Sequence, residues 1–161
     1  MDEWKKEKKS YTPHQAKLKA ESYCAYQERA QQEVRDKLYS WGLHQEDVEN
    51  IIASLIEENF LNEERFAKAY VLGKFRMQGW GKIKIKLHLK AKRVSEPLIR
   101  IALREINEED YQEMIIKIIK KRTKHQLSKI STTERSKLFK YLLSKGFESE
   151  IIQENIDNNR Q

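Results

Sequence analysis

The sequence is short of the residues that interrupt regular structure. Five glycines and two prolines in 161 residues leave too few turn formers for an all-β chain, which needs them every few positions. Most of the length must lie in regular elements. Cys24 is the only cysteine, so no intramolecular disulfide forms and an oxidising compartment is not implied. One thiol does not anchor a structural zinc site, and His14, His44, His88 and His125 lack ligand spacing. No glycine-rich loop ends in Lys-Ser or Lys-Thr, and Gly79-Trp80-Gly81 is too short for a dinucleotide fingerprint. The longest strongly apolar run, Met114 to Ile119, is interrupted by Lys117 and falls far short of the ~20 residues of a membrane span. The start, Met1-Asp2-Glu3-Trp4-Lys5-Lys6, leads into no apolar segment; no signal peptide is read, and a cytoplasmic protein is expected. With no nucleophile set, metal set or cofactor loop, the expectation is a protein that is not an enzyme and carries no cofactor.

What the chain has in quantity is charge, 35% of its residues, with a formal net charge of +7. Such a balance suits a polyanion or an acidic protein face as partner. The charge is also segregated. Residues 44–64 hold seven acids and no Lys or Arg, whereas 65–104 hold twelve Lys or Arg against one acid, Glu96. Residues 105–113 return to five acids, and 114–133 carry six bases and no acid. These blocks imply either an oriented surface field or ion pairs between facing segments.

A short template recurs three times. Leu38-Tyr39-Ser40-Trp41-Gly42-Leu43 leads to Val48 and Ile52; Leu89-Lys90-Ala91-Lys92-Arg93-Val94 leads to Leu98 and Ala102; Leu142-Leu143-Ser144-Lys145-Gly146-Phe147 leads to Ile151 and Ile152. Each reads as a helix end, a tight turn and a new helix, with Gly42 and Gly146 where a left-handed residue is wanted. Arg93 holds that place in the middle copy. Helix starts lie upstream: Thr12-Pro13-His14-Gln15 and Ser131-Thr132-Thr133-Glu134 are capping boxes, and Asn62 precedes Glu63 and Glu64. Tyr111, Met114, Ile115, Ile118 and Ile119 give the cleanest helical face. The expected architecture is all-α: three tandem three-helix repeats over 11–60, 61–107 and 108–158, stacked into an elongated, curved array. Residues 1–10 carry four lysines and are expected to form a disordered basic tail.

Lys82-Ile83-Lys84-Ile85-Lys86-Leu87-His88-Leu89-Lys90 alternates strictly, which by itself argues for a strand. It is read as a helix because no other strand exists to pair with it. At ~100° per residue, Lys82, Lys86, Lys90 and Arg93 then fall on one side, with Ile85 and Leu89 on the adjacent, core-facing side. The candidate binding residues are Lys74, Arg76, Lys82, Lys84, Lys86, Lys90, Lys92 and Arg93, with Lys120, Lys121, Arg122 and Lys124 in the second basic block. Lysines act as point charges, so contact with a phosphate backbone would be independent of base sequence. Trp80 is read as a packing residue, with stacking on a base as the alternative.

The run Asn59-Phe60-Leu61-Asn62-Glu63-Glu64-Arg65-Phe66-Ala67, then Tyr70-Val71, Gly79-Trp80-Gly81, Ile85 and Leu89, resembles the central motif of the RecX family. That motif is a G-F-L-(D/N)-(D/E)-x-R-(F/Y)-A stretch, a Gly-aromatic-Gly turn and a helix end that closes on Lys-Gly-Ile/Val. Glu33 to Leu38 and Lys137 to Phe147 resemble the family's first and third repeats. Two departures are Arg93 and Asn59, each standing where the family commonly has glycine. The resemblance implies a monomeric regulatory protein that binds the RecA–DNA filament. It also implies contact with single- and double-stranded DNA, and damping of RecA's ATPase, strand-exchange and co-protease activities in DNA repair and the SOS response. The family supplies no catalytic residues to carry over. The competing reading is a sequence-independent nucleic-acid-binding helical repeat protein that does not act on RecA.

Overall fold

The computed structural model describes residues 10–123 and 129–158; the basic tail expected over 1–10, apart from Ser10, lies outside them, as does Lys124. Nine α-helices and no strand occur among the described residues. They are α1 Pro13–Tyr26, α2 Gln31–Ser40, α3 Gln45–Glu57, α4 Glu63–Gln78, α5 Lys82–Ala91, α6 Glu96–Leu103, α7 Glu108–Arg122, α8 Thr132–Ser144 and α9 Ser149–Asn158. The alternating segment is helical throughout, as α5. Its alternation survives because Ile85 and Leu89, four apart, are both fully buried while Ile83 and Leu87 remain exposed.

Local signals explain the helix ends. Thr12 and Gln15 form the reciprocal capping box of α1, Asn62 accepts the Arg65 backbone N–H at 2.9 Å, and Ser131 accepts that of Glu134 at 3.1 Å. Each such cap is worth about 1 kcal/mol. At the other ends the chain turns left-handed at Gly42 (φ 86°), Asn59 (φ 63°), Gly79 (φ 63°), Arg93 (φ 59°) and Gly146 (φ 96°). After Gly42, Asn59 and Gly146 the next N–H reaches back five residues: Leu43 to Leu38, Phe60 to Leu55, Phe147 to Leu142. This bonding closes the exposed carbonyls of a helix C-terminus. Arg93 therefore keeps the left-handed geometry of the other two copies, but with a side chain that disfavours it.

The chain divides into two compact units, Met1–Ala67 with Lys92–Val94, and Lys68–Ala91 with Ser95–Gln161. In the first, α1 contributes Ala16, Ala20 and Cys24, small residues at four-residue spacing, to a core of Val34, Leu38, Val48, Ile52, Leu55 and Leu61. In the second, Tyr111 is fully buried at the centre of an aromatic row, with ring centroids 6.0 Å from Phe75 and 5.3 Å from Phe147. Its hydroxyl donates to Glu148 at 2.8 Å and accepts the Lys82 backbone N–H at 3.1 Å. Burial, reinforced by the Glu148 carboxylate, pushes the Tyr111 phenol well above its ordinary range. The turn after α4 meets the turn after α8 backbone to backbone: Gly81 N–H donates to Lys145 O at 2.7 Å and Ile83 N–H to Gly146 O at 2.9 Å.

Candidate functional site

The predicted cations meet different fates. Within α5, Lys82 lies 3.3 Å from Glu108 with its ammonium over the Tyr111 ring, and Lys86 and Lys90 share Glu96 at 2.8 and 3.4 Å. The bond from Lys86 holds the Glu96 carboxyl below its usual range. Lys92 pairs with Glu33, and Arg93, past the end of α5, is exposed in its left-handed turn. Facing blocks of opposite charge thus pair in part, as they do at Lys68–Glu105. These are surface pairs screened by solvent, which contribute little net stability, so they localise the lysines more than they stabilise the fold.

Lys74 and Lys84 converge on a different partner. Their ammonium groups lie 4.9 and 4.5 Å from the centroid of Trp80, and the His88 ring is 4.5 Å away. Trp80 is half-buried among these side chains. It packs here, as the packing reading expected.

Three of the remaining candidates fall together. Arg76 at the end of α4 and Lys121 and Arg122 at the end of α7 line a cleft of about 520 Å³. Lys117 and Lys145 complete a rim of five cations, and among the described residues no acid lines it. The floor is apolar: Met114 and Ile118 from α7, with Met77, which is 83% exposed. Gly79 opens this space, since a Cβ there would come within 3.7 Å of both Ile118 and Met114. The Arg122 guanidinium covers the Tyr141 ring at 3.4 Å from its centroid, and the Lys145 ammonium binds the Gln78 carbonyl at 2.5 Å. That bond offsets the partial negative charge that a helix C-terminus would otherwise present to an anion. Lys120 is exposed on α7 but does not line the cleft. No group of three or more His, Cys, Asp or Glu positioned for a metal occurs among the described residues.

Lys117, Lys145 and Met77 were not among the candidate binding residues read from the sequence. For Lys117 a signal existed: it stands four before Lys121, on the same side of α7. For Lys145 and Met77 there was none, because the cleft joins residues 67 apart in sequence, Gln78 and Lys145.

Comparison with known proteins adds the family. Models of the first, second and third three-helix domains of RecX match residues 16–55, 62–103 and 108–156. The chain belongs to the RecX family. Among curated relatives, the regulatory protein RecX of Clostridium perfringens (strain 13 / Type A) is 34% identical over 124 residues, covering 74% of this chain and 57% of the relative. That of Lactobacillus johnsonii is 31% identical over 152 residues, 94% of this chain and 56% of the relative. The chain thus spans little more than half the length of these RecX relatives. The crystal structure of RecX from Lactobacillus salivarius superposes with a TM-score of 0.81 at 26% identity, covering 91% of this chain and 96% of that one. The fold is the all-α tandem repeat of RecX. No helix of the described residues is long and apolar enough to cross a membrane.

Proposed function

We propose that this chain regulates RecA by binding the RecA–DNA filament, damping its ATPase, strand-exchange and co-protease activities without chemistry of its own. The observation that carries the reading is the match of all three RecX domain models in order along the chain, beside relatives named as regulatory proteins. The acid-free cleft at Arg76, Lys121 and Arg122 supports it physically. A filament of protein on DNA is a polyanion, and a cluster of cations without carboxylate neighbours keeps its full field for such a partner. The working unit is a cytoplasmic monomer with repeats at 11–60, 61–107 and 108–158. Lys74, Lys82, Lys84, Lys86 and Lys90 are further candidate contacts in the compact unit that holds the cleft, and Lys92 and Arg93 are candidates in the other; the paired lysines among them act where a phosphate outcompetes an exposed carboxylate. Lys120, exposed on α7, is a further candidate, and Lys124 is one by its place in the second basic block of the sequence.

The test is RecA ATPase on single-stranded DNA with increasing amounts of the chain. A dose-dependent fall in turnover is expected. Unchanged turnover at saturating protein would refute the reading, and tight DNA binding in that same case would favour a DNA-binding repeat protein independent of RecA.

A further inference from the structure

The cleft at the ends of α4 and α7 has two chemistries that a phosphate backbone does not need together. Its rim is cationic, at Arg76, Lys117, Lys121, Arg122 and Lys145, and its floor is apolar. Met77, 83% exposed, stands over that floor with Met114 and Ile118. An unbranched thioether in open solvent has no packing role, and such side chains adapt to apolar partners of varied shape. A groove for single-stranded nucleic acid instead offers free aromatic faces on which bases stack. Among the described residues, the one aromatic side chain lining this cleft is Tyr141, and Arg122 covers its ring.

We infer that the cleft binds an acidic protein segment bearing an aliphatic side chain, its carboxylates on the cationic rim and its apolar group on the Met77, Met114 and Ile118 floor. Charge complementarity sets the sign of the occupant, and the floor sets its second feature. A polyglutamate satisfies only the rim, and a bare phosphodiester chain has nothing for the floor. Lys145 is tied to the Gln78 carbonyl and so is pre-positioned, which lowers the ordering cost of binding. The inference rests on the proposed function only in naming a subunit of the filament as the source of the segment.

Fluorescence anisotropy tests it with three labelled probes: a glutamate-rich peptide carrying two leucines, the same peptide with serines in their place, and an oligothymidylate. Burying one leucine side chain predicts about tenfold tighter binding of the leucine peptide than of the serine peptide. Met77→Ser should remove most of that preference. Lys117→Glu with Lys121→Glu should weaken both peptides about tenfold or more, and should change oligothymidylate binding by less than about threefold. These three side chains are exposed or nearly so, and circular dichroism confirms that the variants fold. Equal affinity for the two peptides overturns the inference, as does no peptide binding. So does an oligothymidylate affinity that falls as far as the peptides' in the variants, which would assign the cleft to nucleic acid. No RecA is present in this assay. Its failure therefore leaves the proposed function standing, and an inert RecA assay leaves a positive peptide result standing.

Discussion

Adding one methyl group at Gly81 should separate two turns that are 65 residues apart in sequence. A Cβ at Gly81 would sit 2.4 Å from the carbonyl carbon and oxygen of Gly146 and from the Phe147 nitrogen. All three are backbone atoms, so no rotamer change relieves the clash. Restoring ordinary contact at 3.4 Å requires the turns to part by about 1 Å. That movement carries the bonds from Gly81 N–H to Lys145 O, 2.7 Å, and from Ile83 N–H to Gly146 O, 2.9 Å, beyond useful length. Overpacking costs about 1–3 kcal/mol and each lost hydrogen bond about 0.5–1.5 kcal/mol. Gly81→Ala should therefore destabilise by about 2–6 kcal/mol, and at ~2–4 °C per kcal/mol for a chain of this size lower Tm by roughly 5–20 °C. Gly73→Ala is the internal control. It lies within α4, its added Cβ meets nothing within 4 Å, and removing a glycine from a helix interior should stabilise by about 0.5–1 kcal/mol. Urea denaturation followed by circular dichroism measures both. If Gly81→Ala unfolds within about 0.5 kcal/mol of the unsubstituted chain, the backbone docking of the two turns is not a feature of the folded protein.

Other substitutions probe other parts of the argument. Tyr111→Phe leaves the Lys82 N–H and the Glu148 carboxylate without the buried hydroxyl between them; urea midpoints should fall by an amount corresponding to about 1–3 kcal/mol, and an unchanged midpoint would mean that water replaces the hydroxyl at no cost. Arg93→Gly relieves a left-handed φ of 59° on an exposed residue and should raise stability by about 0.5–1 kcal/mol after the greater freedom of glycine in the unfolded chain is set against the relief; a loss of stability would show that the Arg93 side chain holds something the backbone strain conceals. Glu63 has a buried carboxylate oxygen without a partner, and burial raises its pKa above the ordinary glutamate value. A folded pKa above the unfolded one means that the cost of this charge is absent below the ordinary glutamate value and complete once pH exceeds the folded pKa. Glu63→Gln should accordingly stabilise by about 1 kcal/mol at pH 7, with the advantage disappearing as pH falls below the glutamate range; denaturation midpoints at the two pH values check it.

Much of this protein is local, and what is local was legible in the residues. Thr12 with Gln15, Asn62 and Ser131 start helices because a side-chain oxygen three residues upstream meets an orphan N–H, an interaction complete within one turn. The repeated Leu-x4-Leu/Phe endings placed the left-handed turns at Gly42 and Gly146, because the bond that closes a helix end spans only five residues; that Arg93 keeps the same left-handed geometry in the middle copy came from the structure. Periodicity likewise fixed Tyr111, Ile115 and Ile119 as buried. The alternating run was read as a helix against its own period, because no strand exists to pair with it, and it is α5.

What only the tertiary structure decided is which charges have partners. One row of cations on α5 looked like a single stripe. Folding places Glu108 against Lys82 and Glu96 between Lys86 and Lys90, and leaves the acid-free cluster elsewhere, around Arg76, Lys121 and Lys145. The close approach of Gly81 to Gly146 is of the same kind. Helical period states which way a side chain points from its own axis, within a few residues. It does not state which helix end closes onto which, and the field at a cation depends on that long-range closure.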